Sequence, residues 1–199
     1  GIPGAASREA QGTRRGRGGV SGHGEPGAGV VDAQVERKVE EDMIIKAVLE
    51  IIKARDFINV ATCDNRGRPN GVSKLIVKID GNSIVLVDYT IGRTYANLMI
   101  NPRVSLSFFD LERLRGYQIN GHVEIIERGS SYEEMTSHLT QKEISLSTER
   151  VIRGMTRGKS HEDYTIGKDK KFVFFKVHMD EIAEISYNGE INRDVTPAE

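Results

Sequence analysis

The stretch VDYTIGRTYANLMINP, residues 87–102, holds the side chains with the clearest chemical purpose. Gly92 can take backbone angles that other residues avoid, and it precedes a short helical pattern that Pro102 ends. The free N–H groups of a helix's first turn, together with the helix dipole, attract an anion. Arg93 adds a forked cationic donor, and Thr94 adds a hydroxyl. These residues predict a phosphate-binding site at the start of the helix.

The same helix is predicted to bury Tyr95, Leu98 and Met99 as an apolar stripe. Lys74 lies on a neighbouring predicted strand, on the face opposite Leu75, where it could add a second positive charge. An arginine and a threonine at a helix start are often only solvated or capping, and an exposed strand lysine often only blocks edge pairing. The order strand, glycine, Arg-Thr, short helix is more informative than any of these residues alone.

Alternation of apolar and polar residues predicts six strands around this helix. They are expected at residues 57–63, 71–79, 83–89, 103–110, 116–126 and 171–186. Short turns indicate an antiparallel meander, and closing it into a barrel removes the exposed edges. Helical spacing predicts flanking helices at residues 35–57, 130–144 and 145–155. The predicted fold is mainly β, a six-stranded antiparallel barrel with peripheral helices.

The sequence divides into a tail, one domain and a short second tail. Residues 1–36 hold ten of the 21 glycines and no aromatic residue, so we expect them to be disordered. Their arginines lack interleaved aromatics for base stacking, which favours a linker or an extended start before Met43 over a nucleic-acid arm. The domain is expected over residues 37–190, with a helical insert at about 130–160, and residues 191–199 form a C-terminal tail.

Composition argues against several classes of protein. The net charge of −1 gives no sign of nucleic-acid or membrane binding, and no apolar run is long enough to span a bilayer. The single cysteine, Cys63, cannot form a disulfide framework or a cysteine zinc site, and it fits a reducing cytoplasmic compartment. His122, His138 and His161 are too scattered to predict a metal site. No nucleophile is paired with a base, so no catalytic residue is identified.

The motifs FINVATCDNRGRPNGVSKL, IGRTYANLMINPRVSLSFFD and GYQINGHVEII resemble those of the pyridoxamine 5′-phosphate oxidase-like, FMN-binding split-barrel flavoproteins. The resemblance runs from about residue 44 to residue 185. It implies a six-stranded split barrel, FMN as the cofactor, and a homodimer with flavin sites at the subunit interface. The cofactor contacts that it implies are Val72, Ser73 and Lys74 beside the ring and ribityl chain, Asp88 and Tyr89 near the ring, Arg93 and Thr94 at the phosphate, and Tyr117 on a strand that reaches the flavin across the interface.

The resemblance also sets limits on the activity. True pyridoxamine phosphate oxidases have a second basic residue where this sequence has Thr94, and they carry a C-terminal tryptophan and an arginine–histidine substrate cluster. This chain has no tryptophan, so it is similar to flavin reductase-like members instead. We expect an oxidoreductase that uses FMN, NADH or NADPH, and a small-molecule substrate. The alternatives are a non-catalytic flavin-binding electron carrier, or a superfamily member that binds F420 or haem.

Overall fold

The computed structural model of the chain describes residues 45–156 and 171–195. The tail predicted over residues 1–36 and the end of the helical insert expected at about 130–160 lie outside these ranges. The described elements, in chain order, are α1 (residues 45–53), β1 (Phe57–Cys63), β2 (Pro69–Asp80), β3 (Ser83–Asp88), α2 (Arg93–Ile100), β4 (Arg103–Asp110), β5 (Arg115–Ile126), α3 (Ser130–Thr156), β6 (Val173–Ile185) and β7 (Ile191–Val195).

The strands form one antiparallel sheet in the order β3-β2-β1-β4-β5-β6-β7. A further ladder between β3 and β6 closes the first six of these strands into a barrel. The predicted mainly β fold, a six-stranded antiparallel barrel with peripheral helices, is therefore confirmed. Strand β7 was not predicted, because its sequence INRDV is short and mostly polar; it pairs with the second half of β6.

Two apolar clusters hold the barrel together. The interior cluster takes alternate residues from the strands, as the two-residue repeat of a strand requires. It includes Ile58, Val60, Ile76, Ile84, Leu86, Leu106, Ile119, Phe175 and Ile182, together with Val48 and Ile52 of α1. All six residues of β3 are buried, because α3 covers the outer face of this strand. The second cluster is that outer contact, and it joins Leu75, Val85, Val87 and Phe174 to Met135 and Leu139 of α3.

Helix α3 is one continuous helix of 27 residues, although the sequence had suggested two pieces meeting at residue 145. The two-piece prediction was wrong because residues 130–153, on both sides of the supposed junction, contain neither glycine nor proline. Leu146 continues the apolar contact beyond the supposed junction. No helix in the described part of the chain combines the length and the apolar character needed to cross a membrane.

A β-bulge interrupts the ladder between β5 and β6. Asn120 pairs with Glu181 and Gly121 pairs with Met179, so Asp180 is the additional residue. The two backbones approach closely there, and a Cβ on Gly121 would lie 2.1 Å from the carbonyl oxygen of His178. Only glycine fits this position without a shift of the backbone.

We predict that Gly121→Ala lowers the free energy of unfolding by about 2–3 kcal/mol, because the added methyl group overlaps a backbone carbonyl. The control is Gly71→Ala on β2, where a Cβ would meet nothing within 4 Å. We expect the control to change stability by less than about 0.5 kcal/mol. Urea unfolding of both variants checks the prediction, and equal stability of the two would contradict the close approach at the bulge.

Candidate functional site

Helix α2 begins immediately after Gly92 without a side-chain cap, and its first turn contains no acidic residue. The first intrahelical hydrogen bond runs from the N–H of Ala96 to the carbonyl oxygen of Gly92, over 3.0 Å. The helix itself therefore offers no acceptor to the N–H groups of Arg93, Thr94 and Tyr95. Such a turn attracts an anion, as the sequence had predicted.

The buried face of α2 combines polar and apolar side chains, so it matches the predicted apolar stripe only in part. Thr94, Asn97 and Leu98 are buried, whereas Met99 is 61% exposed. The amide of Asn70 donates to the hydroxyl of Thr94 over 3.1 Å. The amide of Asn97 in turn donates to the hydroxyl of Thr62 on β1, also over 3.1 Å. Leu98 belongs to the interior apolar cluster and Tyr95 packs against that cluster, so the predicted stripe is wrong only at Met99.

The placement of Thr94 limits what it can give an anion. Its side chain is 3% exposed, and its oxygen already accepts the bond from Asn70. Its hydroxyl can still donate one hydrogen bond. Arg93 is exposed, and among the described residues its guanidinium has no hydrogen-bond or ion-pair partner. Arg93 is therefore the available cation at this helix start.

Lys74 forms a buried ion pair, which contradicts the alternative that it is an exposed lysine that only blocks edge pairing. Its ammonium lies 2.6 Å from Oδ1 of Asp88, and the two side chains are 9% and 0% exposed. Lys74 does alternate with Leu75, but it shares the barrel-interior side of β2 with Ile76. The outer side is occupied by the contact with α3, so the face opposite Leu75 is the interior.

Asp88 has one saturated and one unsatisfied carboxylate oxygen. Besides Lys74, its Oδ1 accepts the backbone N–H and the hydroxyl of Thr90, over 3.0 and 2.7 Å. Burial raises the pKa of Asp88, but the bonds from Lys74 and Thr90 outweigh it, and the pKa lies below its usual value. Oδ2 is buried and has no hydrogen-bond partner among the described residues. A buried acceptor of this kind calls for a donor.

Tyr89 is tied to α3 by its phenol group. The hydroxyl donates to Oε1 of Glu143 over 2.5 Å, and the ring meets Phe172 edge-on with centroids 6.2 Å apart. Burial, and then the Glu143 carboxylate, raise the pKa of Tyr89, so the phenol stays protonated at neutral pH. Sequence reasoning missed Glu143, because no local pattern connects it to a strand end 54 positions earlier.

Val72 and Ser73 lie on a part of β2 that pairs with a neighbouring strand on one side only. They pair with Val60 and Asn59 of β1, whereas the ladder to β3 starts only at Leu75. Ser73 is exposed, and its hydroxyl donates to the Asn59 amide oxygen over 2.9 Å. This strand edge, the Lys74–Asp88 pair and the start of α2 form one continuous region.

Tyr117 is the predicted site residue that the structure does not join to this region by any described contact. It is 4% exposed and stacks on Phe108 inside the barrel, with ring centroids 5.0 Å apart. Burial, and then the Glu184 carboxylate, raise its pKa. Phe108 and Ile119 are core residues as well, whereas Phe109 is 49% exposed.

A cavity of about 340 Å³ lies between α2 and the turn from β1 to β2. Arg93, Ala96 and Ile100 line it from the helix, and Arg68 and Asp64 from the turn. Within residues 45–156 and 171–195, no three histidine, cysteine, aspartate or glutamate side chains come together as a metal site.

Comparison with known proteins places the chain in one family. The family model described as pyridoxamine 5′-phosphate oxidase matches residues 44–185. No curated protein matches the chain. Two solved structures share the fold. One is a Clostridium acetobutylicum protein related to general stress protein 26 of B. subtilis, of the pyridoxinephosphate oxidase family (18% identity, TM-score 0.56, 78% of this chain and 95% of that chain covered). The other is Campylobacter jejuni ChuZ (13%, 0.56, 78% and 60%).

We predict that Asp88→Asn lowers the free energy of unfolding by about 3 kcal/mol, because it leaves the buried Lys74 ammonium without a counter-charge. The control is the double variant Lys74→Met with Asp88→Asn, which should recover most of the loss since it buries no charge. Urea unfolding at neutral pH measures both. A double variant as unstable as the single one would show that the charge pair is not the cause.

The same pair has a predictable pH dependence. Because the folded pKa of Asp88 is lowered, its stabilisation is present above the ordinary value of 3.8 and is lost as the pH falls through the folded pKa. The stability difference between wild type and Asp88→Asn should therefore be constant from about pH 7 to pH 5 and shrink towards pH 3. A difference that stays constant over the whole range would contradict this assignment.

Proposed function

Because the chain belongs to the pyridoxamine 5′-phosphate oxidase family, we propose that it is an FMN-binding flavoprotein that acts as an oxidoreductase. The observation that carries the proposal is the start of α2. An uncapped first turn and a guanidinium without a partner converge where the chain leaves the barrel. That is the chemistry that recognises a phosphate group.

A second feature that bears on whether the site fits FMN is Oδ2 of Asp88. This oxygen is buried and lacks a donor among the described residues. FMN has an anionic phosphate at one end, and ribityl hydroxyls and a ring N–H that can donate hydrogen bonds. A site with free N–H groups and Arg93 at one place, and a carboxylate acceptor nearby in the chain, fits both kinds of group. The residues present are therefore compatible with the cofactor.

The proposal divides the predicted contacts by role. Arg93 and the first turn of α2 hold the phosphate, with one further bond available from Thr94. Lys74 is neutralised by Asp88, so it acts inside the barrel and adds no net charge for the phosphate. Val72 and Ser73 offer a strand edge beside the ring, and Tyr89 closes the region towards α3. Tyr117 stays a predicted contact without structural support.

Bound FMN supplies hydride or electron transfer, and the protein supplies position and electrostatics. We propose a reduced nicotinamide as donor, a small molecule as acceptor, and a cytoplasmic location, where the Cys63 thiol stays reduced. The second candidate is a flavin-binding electron carrier, since no nucleophile and base pair stands at the site. Turnover of NADH or NADPH by the FMN-loaded protein separates the two.

We also propose a homodimer that completes the flavin site. An exposed apolar row crosses the outer face of the barrel on β4, β5, β6 and β7. Phe109 pairs with Gly116, Gly116 with Ile185, and Ile185 with Ile191. The three apolar side chains of this row are 49%, 39% and 53% exposed in the single chain. Adjacent exposed apolar groups on one face are typical of a protein interface.

We predict that Arg93→Ala weakens FMN binding by roughly tenfold to a hundredfold, the equivalent of a charge-assisted hydrogen bond of about 1.5–3 kcal/mol. Riboflavin, which lacks the phosphate, should bind almost unchanged. The control is Arg128→Ala, which removes an exposed arginine that does not line the cavity beside α2. Flavin fluorescence titration with both ligands measures the effect. No loss of FMN affinity would mean that the phosphate binds elsewhere, and equal loss for both ligands would mean that the fold is damaged.

We predict a dimer at micromolar concentration that Phe109→Glu dissociates, because a charge would enter the apolar row. The control is Ile144→Glu on α3, where the side chain is 62% exposed and outside the row. Sedimentation velocity distinguishes the species. A wild-type monomer that still binds FMN would contradict the proposed assembly.

A further inference from the structure

We infer that Arg68 is a second phosphate-binding residue of this site and that Asp64 holds it in position. The inference rests on the proposed function and extends it to the turn between β1 and β2. The resemblance assigned no cofactor contact to Arg68.

Asp64 organises the turn and one side of the arginine. Its Oδ1 accepts the backbone N–H groups of Arg66 and Arg68, both over 2.9 Å. Its Oδ2 accepts Nε of Arg68 over 2.6 Å. The backbone N–H of Arg68, more than its side chain, lowers the pKa of Asp64, so the carboxylate is ionised at neutral pH. The guanidinium is thus held through Nε alone.

The terminal amino groups of Arg68 remain available. Among the described residues neither donates a hydrogen bond, and the side chain is 74% exposed. A guanidinium anchored through Nε keeps two donors that can reach two oxygens of one phosphate. A surface ion pair with Asp64 alone would need no cavity beside it.

The cavity beside α2 supplies the second observation. Arg68 and Arg93 line it together, and Asp64 is the only acidic residue among its lining residues. Its lining charges therefore sum to one excess positive charge. Two amides, Asn65 and Asn97, and three apolar residues complete the wall, so a ligand there meets two guanidiniums together with amide and apolar groups. A group with two negative charges would relieve the repulsion between them.

Of the two arginines in this turn, Arg66 and Arg68, only Arg68 lines the cavity. Arg66 has the same charge and stands two residues away. Gly67 between the two arginines has a φ of 74°, a left-handed conformation that turns the chain between them. Arg66→Ala is therefore a matched control for Arg68→Ala.

The experiment is a fluorescence titration of the full chain with FMN and with riboflavin, at low and high salt. We expect Arg68→Ala to weaken FMN binding about threefold to tenfold, which is modest because an exposed guanidinium is screened by water. Riboflavin affinity should not change, and FMN affinity should depend less on salt than in wild type. Arg66→Ala should behave as wild type, and Arg68→Lys should lie between wild type and Arg68→Ala, because lysine keeps the charge and loses the fork.

The outcomes separate this inference from the proposed function. If Arg93→Ala loses FMN selectively but Arg68→Ala matches Arg66→Ala, the inference is overturned and the FMN site stands. If Arg68→Ala weakens FMN and riboflavin equally, the residue only supports the turn, and the inference is overturned as well. If neither arginine variant distinguishes FMN from riboflavin, both proposals fall.

Discussion

Two hydrogen bonds, one buried and one part-buried, join α2 to the barrel and hold the helix whose first turn is the candidate anion site. Asn70 donates to Thr94, and Asn97 donates to Thr62. Removing one partner of such a bond costs about 1–3 kcal/mol, because the other stays buried and unsatisfied. The bonds hold a helix of eight residues, which would not be stable as an isolated peptide because short helices depend on tertiary contacts. Its free first turn and Arg93 are exposed as a consequence.

The charged residues around α2 fall into a buried pair and two exposed arginines. Lys74 and Asp88 neutralise each other in the interior, and their pairing joins the middle of β2 to the end of β3. Arg93 and Arg68 stand outside, beside the cavity that borders α2. A buried pair is costly to break and contributes little net field, whereas exposed guanidiniums keep their charge for a ligand. Tyr89 follows Asp88 at the end of β3 and donates a hydrogen bond to Glu143. This bond connects the strand end to α3.

The sequence predicted the strands well because their signals are local. Alternation and short turns specify neighbouring antiparallel pairs, and the barrel followed from them. The sequence was a poorer guide to which face of a helix or strand is buried, because the neighbouring elements decide that. The faces of α2 and β2 were read from polarity, but the barrel places Asn97 and Lys74 inside. Glu143 shows the same limit, since its hydrogen bond with Tyr89 spans 54 positions of the chain.

The central claim is that this site holds FMN by its phosphate. The most direct measurement is the absorption spectrum of the purified protein after incubation with FMN and removal of free ligand, followed by identification of the cofactor released on unfolding. We expect a protein-bound flavin spectrum and the release of FMN. A haem band, a deazaflavin spectrum, or a protein that retains no flavin would contradict it.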